Sequence, residues 1–183
     1  MIYTEITPNP ASLKFVLDRV VLRHGSADFP SPGLAEESPL ARKLFEYKFV
    51  ERVFLGYNFI TVTKSADFQW EEVIPAVKTF LKAWLASDQP IVTGSLAEAP
   101  AEEAGSEDDE LTRRIKELLE THVRPAVAMD GGDIIYEDFR EGTLWLKLQG
   151  SCSGCPSSTI TLKRGIEGLV TRMVPEVKRV EAV

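Results

Sequence analysis

DGGDIIYEDFREGTLWLKLQGSCSGCPSS, residues 130–158, decides the reading of this chain. Asp130-Gly131-Gly132-Asp133 turns the chain into a strand over residues 134–139, and Glu141-Gly142 turns it back into a second strand over 143–149. In the second strand Leu144, Leu146 and Leu148 share one face, while Thr143, Trp145, Lys147 and Gln149 share the other. That alternation is the mark of a half-buried hairpin. From its end leaves a loop carrying Cys152 and Cys155, the only two cysteines in the 183 residues.

Working outward, Pro156 suits the first position of a helix over 156–173, with Ile160, Ile166, Leu169, Val170 and Met173 expected to face inward. Residues 177–183 supply a last strand. Upstream, Ser106 and the acidic run 107–110 suit a helix N-terminus, and Leu111, Ile115, Leu118, Leu119 and His122 recur on one face until Pro125 kinks or ends the helix. The order is therefore α-β-β-α-β over 107–183.

The formal charge of −7 is unevenly placed. Residues 1–89 hold ten Lys/Arg against eleven Asp/Glu, residues 110–183 hold eleven of each, and residues 90–109 hold six acidic residues and no basic one. Two near-neutral bodies on an acidic tether offer no clustered basic face for nucleic acid. The tether, PIVTGSLAEAPAEEAGSEDD, contains no aromatic residue and too little apolar surface to offset the entropy of ordering. Residues 90–106 are thus expected to be a flexible linker, with a reach on the order of 20–25 Å. No uninterrupted apolar run approaches the roughly 20 residues needed to span a bilayer, and the start MIYTEITPNP is unlike an export signal. A cytoplasmic protein with reduced thiols is the expectation, with no membrane partner.

Residues 1–89 read as a small α+β domain without an evident chemical site. Strand-like stretches at 2–7 and 13–22 flank Pro8-Asn9-Pro10. A helix is expected over 39–49, capped by Ser38, then a hairpin of 51–55 and 59–64, then a long helix over 68–86 capped by Asp67. The fold class is α+β: two small α+β domains joined by a flexible acidic linker.

The thiols sit where a strand feeds a helix, with Cys155 as the expected helix cap. The helix end favours anions, so both thiols are expected to ionise more readily than a free cysteine. Gly150 and Gly154 allow close backbone approach. A CxxC pair alone serves zinc, iron-sulfur or redox chemistry. Thiolate clusters want four cysteine ligands, and structural zinc wants four from cysteine and histidine. One chain supplies two; His24 lies in the other domain and His122 on an apolar stripe. Two identical chains would supply all four.

Residues 129–167, MDGGDIIYEDFREGTLWLKLQGSCSGCPSSTITLKRGIE, resemble the C-terminal domain of NifU, the module shared by Nfu-type iron-sulfur cluster scaffolds and carriers. TEITPNPASLKFVL, the FPSP loop and ERVFLGYNFITVTK resemble the N-terminal domain of many Nfu proteins. The resemblance implies a [4Fe-4S] cluster held between two subunits by Cys152 and Cys155 and passed to apo iron-sulfur proteins, after loading by upstream assembly machinery. It leaves [2Fe-2S] forms open. Such a protein binds and transfers, forms a homodimer on cluster binding, and is not an enzyme. Two alternatives share the CxxC: a thiol-disulfide oxidoreductase, disfavoured because no evident βαβ unit surrounds the thiols and no aromatic precedes Cys152, and a structural zinc cementing a dimer.

Among other residues, Gly131 and Gly132 are read as turn formers, Lys163 and Arg164 as a solvated helix face, and Phe54, Tyr57 and Phe59 as core and turn packing.

Overall fold

A computed structural model describes residues 1–98, 109–153 and 156–183. The chain divides into two compact units, residues 1–101 and 102–183.

In the first unit, Pro8-Asn9-Pro10 folds β1 (Ile2–Ile6) back onto β2 (Ser12–Leu17), with the Ser12 amide donating to the Asn9 carbonyl at 2.9 Å. β3 (Ala27–Phe29) follows, a three-residue strand too short to show alternation in the sequence. Ser38 caps α1 (Pro39–Leu44), accepting from the Ala41 amide at 3.1 Å. The helix is shorter than expected, because the backbone turns after Phe45 to enter β4 (Val50–Leu55), which pairs with β5 (Phe59–Lys64). α2 (Trp70–Ala86) starts after Gln69 rather than Asp67 and runs through Pro75. The sheet order is β1-β2-β5-β4-β3, antiparallel throughout.

One face of this sheet packs with α1 and α2 around Phe15, Leu40, Leu44, Val53, Ile60, Val77 and Leu81, all fully buried. Phe54 and Phe59 are also buried, whereas Tyr57 in the hairpin turn is exposed. Lys14 stays buried because its ammonium pairs with Glu5 at 2.9 Å and lies over the Phe59 ring.

The first part of the stretch expected to be linker from residue 90 is docked on the first unit. Ile91, Val92 and Leu96 pack against the first core, the Thr93 amide donates to the Glu37 carbonyl at 2.7 Å, and Ser95 donates to the Glu37 carboxylate at 2.7 Å ahead of α3 (Ser95–Glu98). Three apolar side chains and a carboxylate partner suffice to dock this stretch. The rest of the expected linker lies outside the described residues.

In the second unit Asp109, not Ser106, caps α4 (Glu110–Leu118), its carboxylate accepting from the Thr112 amide at 2.7 Å. Leu119–Val123 form a π-helical turn before α5 (Arg124–Met129), which carries Pro125 in its first turn. Pro125 has no N–H to donate, and its ring excludes ordinary helical packing against the preceding turn. The wider turn also changes which side chains face in: Val123 takes the buried position and His122 is exposed, contrary to the stripe read from sequence.

β6 (Gly132–Arg140) and β7 (Thr143–Gly150) form the expected hairpin, turned by Glu141 and Gly142 at positive φ, with a bulge between Tyr136 and Asp138. α6 (Pro156–Met173) crosses back so that β8 (Arg179–Ala182) pairs with β7 in parallel. Leu144, Leu146, Ile134, Val180 and Val170 meet Ile115, Val123 and Val127 in one core. Ile160 and Met173, expected inward, are 53% and 48% exposed. No helix among the described residues is long and apolar enough to cross a membrane.

Candidate metal centre

The thiol loop is shaped by two strand ends. Gly132 pairs with Gly150 where β6 begins beside the end of β7. Gly150 has φ 69°, which bends the chain sharply out of β7 at no steric cost. The Ser151 amide then donates to the Gly131 carbonyl at 3.2 Å, and the Ser151 hydroxyl donates to the Asp130 carbonyl. The Ser153 amide closes a turn on the Gly150 carbonyl at 3.1 Å. From the far side, the Thr159 hydroxyl of α6 donates to the Cys152 carbonyl at 3.2 Å.

These ties carry the Cys152 side chain inward, where it is only 3% exposed and belongs to the core. Above it lies Gly132. A methyl group built there would sit 2.8 Å from Cys152 Sγ and 2.4 Å from the Gln149 carbonyl oxygen. Gly131, at φ 81°, is a turn former as expected; Gly132 is required for space.

Burial pushes the Cys152 thiol up from its ordinary 9.0 to about 11, the Ser151 hydroxyl opposing and the carboxylates of Asp130 and Asp133 adding to the rise. This corrects the expectation that Cys152 ionises easily. Loss of solvent around the sulfur is the largest cause. Cys155, Gly154 and the proposed cap lie outside the described residues.

An ion pair that the sequence reading missed braces the same strand end. Arg124 on α5 donates through Nε and Nη2 to both carboxylate oxygens of buried Asp133, at 2.9 and 2.8 Å, and through Nη1 to Glu120 at 2.6 Å. Asp133 Oδ1 also accepts from the Ile134 amide at 2.8 Å. The hydrogen bond to Asp133 is the main cause holding the guanidinium pKa above its usual range. Nothing in the spacing of Arg124 and Asp133 advertises the contact; it exists because α5, which Arg124 opens, packs back against the start of β6.

Lys163 is more than a solvated cation, since it pairs with Glu181 at 2.6 Å and ties α6 to β8; Arg164 is exposed as expected. Among the described residues no group of three or more His, Cys, Asp or Glu side chains is placed to hold a metal. A metal held here needs donors from outside one chain's described set. The parallel pairing of β7 and β8 across α6 makes the thiol loop the β-to-α junction of a βαβ unit. That removes one objection to a redox dithiol. A buried thiol titrating near 11 replaces it, because disulfide exchange runs through the thiolate.

Two α+β units, the second with a two-cysteine loop between strand and helix, define a bipartite thiol-bearing protein. The family described as "Scaffold protein Nfu/NifU N terminal" matches residues 2–88, and the "NifU-like domain" family matches residues 115–181. Among curated relatives, the human "NFU1 iron-sulfur cluster scaffold homolog, mitochondrial" is 50% identical, the match covering all of this chain and 71% of that protein. "NifU-like protein 4, mitochondrial" of Arabidopsis thaliana is 48% identical over 98% of this chain and 65% of its own length. The Drosophila ananassae "NFU1 iron-sulfur cluster scaffold homolog, mitochondrial" is 44% identical over all of this chain and 64% of its own length. The chain thus spans about two thirds of the length of these relatives. It belongs to the Nfu/NifU scaffold family, as a member in which an Nfu N-terminal domain precedes a NifU-like domain. The expectation of a cytoplasmic protein is corrected here, since all three relatives are named as mitochondrial and point away from the cytoplasm.

Proposed function

We propose that this protein is an iron-sulfur cluster scaffold and carrier that holds a [4Fe-4S] cluster through Cys152 and Cys155 of two subunits and passes it to apo-proteins, without catalytic turnover. Family membership and the names of its relatives support the scaffold role. The observation that carries the ligand assignment is donor arithmetic. The chain contains two cysteines, both in the loop of its NifU-like domain, and the described residues assemble no other metal-binding group. Four thiolates therefore require two chains.

Transfer is ligand exchange without a change of oxidation state. Each iron exchanges a cysteine thiolate of this protein for a thiolate of the recipient, and the proton of the recipient's thiol ends on the departing cysteine. Cys152 suits the departing role, because its folded environment favours the protonated form.

The test is anaerobic reconstitution of the full chain, followed by absorption spectroscopy, iron and sulfide analysis, and sedimentation. The expected product is a brown dimer with about two irons and two sulfides per chain. A monomer retaining a full cluster would refute the shared site. A colourless zinc-loaded dimer, or a redox dithiol needing no metal, would replace the reading altogether.

A further inference from the structure

We propose that residues 91–98 are a strap, latched to the first unit by Glu37 and Ser38, that opens on its own and whose release lengthens the chain joining the two units. The inference goes beyond the cluster reading above and does not depend on it.

The latch is a pair of adjacent residues. Ser38, the buried cap of α1, donates through its hydroxyl to the Ile91 carbonyl at 2.8 Å. The Glu37 carbonyl accepts from the Thr93 amide at 2.7 Å. The Glu37 carboxylate accepts from the Ser95 hydroxyl at 2.7 Å and from the Leu96 amide at 3.3 Å. Among the described residues, no other member of the first unit makes a hydrogen bond or ion pair with residues 91–97. Gly94, at φ 62°, turns the chain beside the same carboxylate, and a methyl group built there would lie 3.1 Å from Glu37 Oε1. The strap is shaped around one charged side chain.

Its apolar grip is incomplete. Ile91, Val92 and Leu96 are only partly buried, whereas Leu40, Leu44, Val77 and Leu81 of α1 and α2 are fully buried. Leu96 borders two open clefts, one of about 360 Å³ shared with Val21, Leu22 and Leu85, the other of about 440 Å³ shared with Ala27, Phe29 and Leu34. Lifting the strap leaves the Ser38 hydroxyl bonded to the Ala41 amide, so α1 stays capped. Segments held by few buried contacts and by exposed hydrogen bonds open locally, ahead of the domain that carries them.

Opening changes the length of the connection. Latched, the chain stays on the first unit through α3; released, it is held only to the end of α2, where Asp88 turns it at φ 55°. Residues 91–98 then add up to about 28 Å of extended chain. Both cysteines lie beyond this point, so the strap sets how much chain joins the first unit to the thiol-bearing one. Charge makes the latch switchable, because a negative group at Ser95 would face the Glu37 carboxylate at hydrogen-bond distance and repel it.

The test is hydrogen exchange in the full chain, read by nuclear magnetic resonance at the Thr93 and Leu96 amides. In the wild type these should exchange at least about a hundredfold faster than the amides of Ile60 and Val62 in β5. Glu37→Ala and Ser95→Glu should each speed them at least about tenfold further, with β5 and α2 keeping their wild-type rates. Ser95→Ala, which loses one bond and adds no charge, should do less. Glu36→Ala, removing the exposed carboxylate next door, should do nothing. Nitroxide-bearing unnatural amino acids at exposed Tyr57 and Arg113, which leave both cysteines untouched, should gain a longer-distance component in Glu37→Ala.

Wild-type strap amides that exchange as slowly as β5 would make residues 91–98 an integral part of the domain and overturn the inference. Latch variants with wild-type exchange, or with faster exchange throughout the first unit, would do the same. A label distance unchanged by faster strap exchange would refute the lengthening.

Discussion

Gly132→Ala should unfold the second unit early while leaving the first untouched. The added methyl would meet the Gln149 carbonyl oxygen at 2.4 Å and Cys152 Sγ at 2.8 Å. The first of these is backbone of β7, in the strand pair that closes at Gly132 and Gly150, so it cannot swing aside as a side-chain tip would. Relief requires either separating the strand ends or expelling the sulfur from the core. Overpacking of this kind costs about 1–3 kcal/mol, and the double clash places it toward the upper end. For a domain of this size that is a drop of roughly 10–15 °C in unfolding midpoint.

Scanning calorimetry of the full chain separates the outcomes, since only the transition of the second unit should move. Alkylation of Cys152 in the apo-protein should also accelerate about tenfold, the clash having driven the thiol outward. Gly165→Ala is the control: nothing lies within 4 Å of its added methyl, and replacing a glycine inside α6 should stabilise by up to about 1 kcal/mol. A Gly132→Ala protein that melts within about 2 °C of wild type, with Cys152 still shielded, would refute the packing argument.

Three further outcomes are expected. Cys152→Ser and Cys155→Ser should each abolish stable cluster binding; Cys152→Ser should also cost about 1–3 kcal/mol of stability, because a hydroxyl replaces a buried thiol, and a wild-type melting curve for that variant would count against the burial. The second unit should lose stability as pH rises from about 9 to about 11: the unfolded thiol ionises at its ordinary 9.0 while the folded one keeps its proton until about 11, so the unfolded state gains in that window, and Cys152→Ala should flatten the slope. A fragment spanning residues 107–183 should fold and take up iron alone, since it contains both cysteines and its own core; a fragment that binds no iron while the full chain does would overturn that independence.

Much of the second unit was legible because its signals are local. Alternation at Leu144, Leu146 and Leu148, the Glu141-Gly142 turn and Pro156 each act over a few residues, and the strands and α6 follow them closely. What escaped depends on contacts remote in sequence. The inward path of Cys152 is set by Ser151 reaching Asp130 and Gly131 and by the open space at Gly132, none of which a CxxC pattern encodes. His122 kept its place in a regular helical count, but one wide turn ahead of Pro125 turned it to solvent. The parallel return of β8 was invisible because strand direction is fixed by the crossover, and residues 91–97 looked like linker because their anchor, Glu37, lies in another part of the sequence.

For the carrier proposed above, the buried thiol also bears on how firmly a cluster could be held. Metal ligation takes the thiolate, so on the proposed reading the proton on Cys152 would have to leave for iron to bind. Removing it from a group at about 11 instead of 9.0 costs roughly 2–3 kcal/mol more than it would for a free cysteine at the same pH. The same free energy would be returned on release, the sulfur regaining its proton and its place beneath Gly132. If Cys152 ligates iron as proposed, tight packing around it would weaken the grip and favour departure toward a recipient whose thiols lie in the open. A protein selected only to store a cluster would gain by exposing this sulfur near the helix end; one that must give the cluster up gains by keeping it in the core.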